Sequence, residues 1–147
     1  MTGHFSICFR SRLTNIQILR TIFTVHTGVF QTMFTYVVST LFVLLFAHAL
    51  GDFALQTDYI AMHKSRKVAP DHWAWVLSAH SFIHGGAVFF ATGSIVLGLL
   101  ETITHGSIDF AKSEGKLSFN QDQLLHVACK VLWVILLVVT PDLVGNR

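Results

Sequence analysis

The sequence predicts an all-α integral membrane bundle of about four transmembrane helices. Three observations carry this. Of 147 residues, 52% are hydrophobic and only 12% charged, with a mean hydropathy of +0.59. Apolar stretches of membrane-crossing length alternate with short polar loops, and the polar residues inside those stretches recur as histidine and aspartate pairs four residues apart. Soluble domains carry about a quarter charged residues. Half that share cannot wet the surface of so small a globule, so lipid must replace water over much of the outside.

The first clean span is Phe34 to Gln56. At 1.5 Å per residue it covers a hydrocarbon core of about 30 Å. A polar loop from Thr57 to Asp71 follows, with Lys64, Arg66, Lys67 and Pro70. The second span, His72 to Ala91, opens with Trp73 and Trp75, as interfacial belts do. Thr92, Gly93 and Ser94 read as a tight turn. The third span is Ile95 to Phe110, followed by a polar loop with Lys112, Glu114, Gly115 and Lys116. The fourth runs from Gln121 to Val139 and is stopped by Pro141.

The two long loops hold five of the ten basic residues, and the Thr92–Ser94 turn holds none. By the positive-inside rule those loops face the cytoplasm, giving a multi-pass protein of the cell membrane. Residues 1–32 fit this poorly, because Arg10, Arg12 and Arg20 would lie outside and Asn15, Gln17, Arg20 and His26 interrupt the apolar character. Two readings compete: an amphipathic interfacial helix, or an upstream extension with translation starting at Met33. The second is preferred, since Met33 immediately precedes the first clean span. The expected organisation is an N-terminal extension over 1–32, a transmembrane domain over 33–140 and a tail over 141–147.

His48 and Asp52 lie four apart on the first helix, with Gln56 one turn on. His80 and His84 do so on the second, His105 and Asp109 on the third, and Asp122 and His126 on the fourth. Residues at i and i+4 share a helix face. In an antiparallel arrangement all four pairs fall in the cytoplasmic half of the bilayer, where they converge. Helix bundles hold metal ions with such inward imidazoles and carboxylates. The candidate metal ligands are His48, Asp52, His80, His105, Asp109, Asp122 and His126, enough for one ion with outer partners, or for two. Imidazole with carboxylate suits Zn, Mn, Fe or Co, and the isolated Cys8 and Cys129 offer no thiolate site. The bland reading is that each pair simply hydrogen-bonds within itself and fixes helix packing. His80 and His84, lacking a carboxylate, are weaker and can merely line a polar cavity. Lys64, Arg66 and Lys67 read as topology and headgroup residues, His63 and His72 as solvated, and Gly85 with Gly86 as a close helix approach.

At His48, Asp52, Phe53, Gln56, Tyr59 and Lys64 the chain resembles the domain-of-unknown-function family 3307, small membrane proteins of bacteria and their phages. Thr104, His105, Asp109 and Lys112 resemble its second motif, and Asp122, Gln123 and His126 its third. His80 resembles a histidine of its second helix. The resemblance spans about Met33 to Val139, implies a location in the bacterial inner membrane, and brings no activity with it.

A net charge of +2 without a basic stripe argues against nucleic acid. Walker, nucleophile-elbow, H-E-x-x-H and G-x-G-x-x-G motifs are absent from the sequence. The leading expectation is a metal-dependent membrane hydrolase acting on a lipid-linked or phosphorylated substrate. Asp52 or Asp109 would be its general base, and Lys112 would engage a phosphate. A proton- or ion-conducting bundle using the same groups as a relay is the alternative, and a non-catalytic accessory protein a third. The remaining partners expected are the lipid bilayer and further copies of the chain.

Overall fold

The computed structural model describes residues 3–140 and 142, with side chains from residue 15 onward. The expected stop at Pro141, almost all of the tail over 141–147, and the side chains of His4, Cys8, Arg10 and Arg12 lie outside the described residues. Among the described residues the chain is helical, with no strands.

Helix α1 runs unbroken over Gly3–Ala49 and passes directly into a π-helical segment, Leu50–Ala54. The helix continues through Met33, since no proline precedes Pro70. The hydroxyls of Thr21, Thr24, Thr27 and Thr32 donate to carbonyls one turn back, so they need no water. The chain divides into two compact units, Met1–Tyr36 and Val37–Arg147. In the first, every described side chain from residue 15 to residue 36 is exposed, on all sides of the helix.

Among the described residues, the second unit contains the end of α1 and four further α-helices. Helix α2, Asp58–His63, was not expected within the polar loop. Thr57 caps it by accepting from the Ile60 amide. Helix α3 spans Trp73–Thr92 and ends at Gly93, whose φ of +71° closes the expected turn. Ser94 then caps α4, Ile95–Ser113, and Ser118 with Gln121 forms a capping box for α5, Phe119–Val139. Helices α3 and α4 approach closely at Gly85 and Gly98. A Cβ on Gly85 would fall on the Thr102 hydroxyl and lie 2.5 Å from the Gly98 carbonyl oxygen. Gly86 plays no such part, since its Cβ would meet nothing within 4 Å.

Burial follows one stripe on each helix. Thr40, Leu44, His48 and Gly51 face inward near the end of α1; Leu77, His80, Ser81, His84, Gly85 and Val88 do so on α3. On α4 the stripe is Leu97, Gly98, Glu101, His105 and Asp109, and on α5 it is Asp122, His126, Lys130, Trp133, Val134 and Leu137. The unit is therefore layered. Leu44, Val88, Leu97, Trp133, Val134 and Leu137 form an apolar layer at one end, and the histidines and carboxylates fill the rest. Outside, the order inverts: Phe90 is 85% exposed and Phe42 69%, while Lys130 and Glu101 are each 1% exposed. A polar interior under an apolar skin is the reverse of a water-soluble domain.

Among the described residues, three helices are long and apolar enough to cross a membrane: Asn15–Ala54, Trp73–Thr92 and Phe119–Val139. Helix α4, expected as the third span, falls outside that set, since Glu101, His105, Asp109 and Lys112 dilute its hydropathy.

Candidate metal centre

The four polar pairs meet. Asp52 sits in the π-helical segment, which turns its carboxylate under three rings. Its Oδ1 lies 3.0 Å from His84 Nε2, 3.3 Å from His80 Nε2 and 3.6 Å from His105 Nε2, and its Oδ2 3.6 Å from His48 Nε2. Gly51 makes this approach feasible, because a Cβ there would lie 2.5 Å from His84 Cε1. The His84 and His105 rings stack at 3.7 Å, and His105 and His126 follow at 4.2 Å. Towards the loops, Asp109 Oδ2 is 3.5 Å from His80 Nε2 and 3.7 Å from His105 Nε2, and its Oδ1 is 3.6 Å from His126 Nε2. Asp122 Oδ1 completes the chain of contacts 3.8 Å from His126 Nε2.

These distances are not those of a satisfied hydrogen-bond network. Both ring nitrogens of His48 and of His126, His84 Nε2, His105 Nδ1, Asp52 Oδ1 and Asp122 Oδ1 are buried without a hydrogen-bond partner. His84 Nε2 and Asp52 Oδ1 are close but not aligned as donor and acceptor. Donor atoms about 2.0–2.1 Å from a tetrahedral ion stand about 3.3–3.4 Å apart, which is within the 3.0–3.8 Å spread here. Among the described residues, three groups have ligand atoms within 4.8 Å of one another: His48, Asp52, His84 and His105; His80, His105 and Asp109; and Asp109, Asp122 and His126. They are compatible with a divalent cation. The structure thus brings all seven sequence-derived candidates together and adds His84, which the sequence left as a cavity-lining residue.

Two further features were not anticipated. Glu101 is one turn from His105, with Oε1 3.3 Å from its Nδ1, and is held by Lys130 Nζ at 2.6 Å and Trp133 Nε1 at 2.6 Å. The i, i+4 spacing of Glu101 and His105 was available as a signal, as was that of His126 and Lys130. Lys64, read as a headgroup residue, instead donates to Asp109 Oδ2 at 2.7 Å. Lys112 stands 3.8 Å from Asp122 Oδ2 and 4.9 Å over the Phe119 ring. Gln56 Nε2 reaches His80 Nε2 at 3.2 Å. His63 and His72 remain outside the cluster, stacked on each other at 5.7 Å.

Arg66 and Glu114 clasp the two loops through Nε–Oε1 at 2.8 Å and Nη2–Oε2 at 2.6 Å. The guanidinium holds the Glu114 carboxyl below its ordinary range, and the carboxylate raises Arg66 in turn. No curated protein and no solved structure matches the chain. A family model does, over residues 40–144, the stretch that carries every residue of the cluster, and the chain belongs to the family described as Protein of unknown function (DUF3307).

Proposed function

We propose that residues 37–54, α3, α4 and α5 make four membrane crossings around a divalent metal centre of Zn, Mn or Fe. On this reading the protein is a metal-dependent hydrolase of the bacterial cytoplasmic membrane, with a lipid-linked or phosphorylated substrate. Helix α4 serves as a crossing because its 19 residues reach about 28 Å. Its Glu101, His105 and Asp109 side chains are buried, and Ile103, Leu99 and Ile95 face outward. Both basic loops lie at the end of the cluster where Lys64 and Lys112 stand, and the positive-inside rule supports a cytoplasmic side for that end.

One observation carries the metal reading: buried imidazole and carboxylate atoms that face one another at ligand spacing without hydrogen-bond partners. Buried polar atoms are costly unless satisfied, and a cation satisfies them jointly. A bound ion would lower the pKa of a coordinated water and polarise the substrate's phosphoryl oxygen. Whichever of Asp52 and Asp109 does not ligate the ion would take the proton from that water. Lys112 and Lys64, at the loop end, are placed to hold a phosphate. The Glu101–Lys130 pair extends the polar track one turn further and favours a conducting path, but the apolar layer of Leu44, Val88, Leu97, Trp133 and Leu137 closes it.

Elemental analysis of the detergent-purified chain, set beside His105→Ala and Asp122→Ala, tests the reading. About one or more equivalents of metal in the wild type and a deficit in both variants are expected. Folded wild type free of metal after purification and reloading would remove it.

A further inference from the structure

We infer that the centre takes two divalent ions, a deep one enclosed by protein and a shallow one gated by lysine, whose open position receives a phosphate-type oxygen. This rests on the metal reading above and adds occupancy and the substrate-facing site.

Two of the ligand groups share no residue. The deep group is His48, Asp52, His84 and His105, drawn from α1, the π-helical segment, α3 and α4. Four protein donors complete a tetrahedron, which is how closed sites are built. The shallow group is Asp109, Asp122 and His126, from α4 and α5 only. Three donors leave a position open for water or a substrate oxygen. The third group, His80, His105 and Asp109, overlaps both and links them.

The lysines mark the difference. Lys64 Nζ holds Asp109 Oδ2 at 2.7 Å and Lys112 Nζ stands 3.8 Å from Asp122 Oδ2, so two ammonium groups already neutralise the shallow carboxylates. Among the described residues no lysine or arginine pairs with the deep group, since Lys130 is bound to Glu101. Asp122 Oδ1 and both nitrogens of His126, 4% and 0% exposed respectively, still lack partners. The shallow ion must therefore compete with Lys64 for Asp109 and binds more weakly than the deep one. An incoming anion that draws Lys64 and Lys112 to itself frees those lone pairs and strengthens that ion.

Equilibrium dialysis of the stripped, full-length chain in detergent against Mn²⁺ tests this. Two ions per chain are expected, one tight and one weak, with millimolar inorganic phosphate tightening only the weak one. Asp122→Asn should lose the weak ion and keep the tight one. Lys64→Met should tighten the weak ion about tenfold or more, the worth of one charge-assisted hydrogen bond. Lys64 caps the short α2 at the edge of the centre, so that variant stays readable even if Asp122→Asn fails to fold. Saturation at one ion, or a Lys64→Met chain whose weak ion binds no tighter, overturns the inference and leaves the single-metal reading standing. A folded chain that takes up no Mn²⁺, Zn²⁺ or Fe²⁺ at all removes both.

Discussion

Lys130→Met should be among the most destabilising single substitutions in the chain. Lys130 Nζ lies 2.6 Å from Glu101 Oε1, and both residues are 1% exposed. At an effective dielectric of about 20, charges that close attract by about 6 kcal/mol. The net loss is smaller, because methionine escapes the desolvation of the ammonium and Glu101 keeps the Trp133 N–H at 2.6 Å. Removing one partner of a buried pair costs about 3–5 kcal/mol, and the Trp133 bond puts Lys130→Met near the lower bound. Glu101→Gln strands the ammonium instead and should cost at least as much. The double variant removes both charges and should recover most of the loss, leaving a coupling energy of about 2–4 kcal/mol. The assay is reversible unfolding in mixed micelles of increasing SDS fraction, followed by far-UV circular dichroism, on the four chains of the cycle. A metal titration separates the roles: Glu101 touches His105 and Lys130 does not. Glu101→Gln should thus weaken metal binding about 10–100-fold, while Lys130→Met acts mainly on stability. A Lys130→Met cost under about 1 kcal/mol, or strictly additive single effects, would refute the reasoning.

Gly51→Ala places a methyl 2.5 Å from His84 Cε1 and should weaken metal binding about tenfold or more by titration. Gly28→Ala, whose Cβ meets nothing within 4 Å, should leave it unchanged. Chelation should lower the thermal midpoint in detergent, and metal at about 100 times its Kd should restore about 2.7 kcal/mol; equal midpoints would contradict this. The Arg66–Glu114 clasp has a depressed carboxyl, so its stabilisation is full above the ordinary carboxylate range and fades as pH falls through the lowered folded value. The stability difference between wild type and Glu114→Gln should accordingly vanish on acidification, as a pH series of unfolding curves would read. A chain beginning at Met33 should bind metal as the full chain does, because every described side chain from 15 to 36 is exposed; dialysis of both would show a difference if that stretch took part.

Much of the centre was legible from spacing alone. His48 with Asp52, His105 with Asp109, and Asp122 with His126 lie one turn apart, so helix geometry fixes their shared face before any packing is known. The rest depended on contacts that spacing cannot carry. His84 was undervalued because its carboxylate, Asp52, comes from another helix. Glu101 and Lys130 sit inside otherwise apolar stretches as single charges 29 residues apart, and only the packing of α4 on α5 makes them a pair. Lys64 falls in a basic cluster with Arg66 and Lys67, whose positive charge explained it well enough to hide its bond to Asp109. The π-helical segment was invisible for a different reason. It seats Asp52 and Gly51 against His84, a tertiary contact that residue spacing within Leu50–Ala54 does not reveal.

The protons themselves favour a cation over a self-satisfied network. A neutral imidazole carries one N–H. Glu101, an acceptor only, faces His105 Nδ1, so when the His105 proton serves Glu101 its Nε2 presents a lone pair. That lone pair points into a space shared by His80 Nε2 at 3.3 Å, Asp52 Oδ1 at 3.6 Å and Asp109 Oδ2 at 3.7 Å. His80 Nε2 accepts from the Gln56 amide at 3.2 Å, so these contacts stand acceptor against acceptor. At the loop end Lys64 supplies a positive charge to Asp109, but the deep group has no such donor among the described residues. More protonated histidines would bring positive rings together at the 3.7 Å stacking of His84 on His105. A divalent ion relieves the crowding without that repulsion, because one centre of charge meets several lone pairs at once. A carboxylate–lysine pair lies just behind the cluster: Glu101 Oε1 stands 3.3 Å from His105 Nδ1, so a proton carried there leaves Nε2 free to face the cluster, and Lys130 neutralises Glu101, keeping its charge from adding to the carboxylates in front.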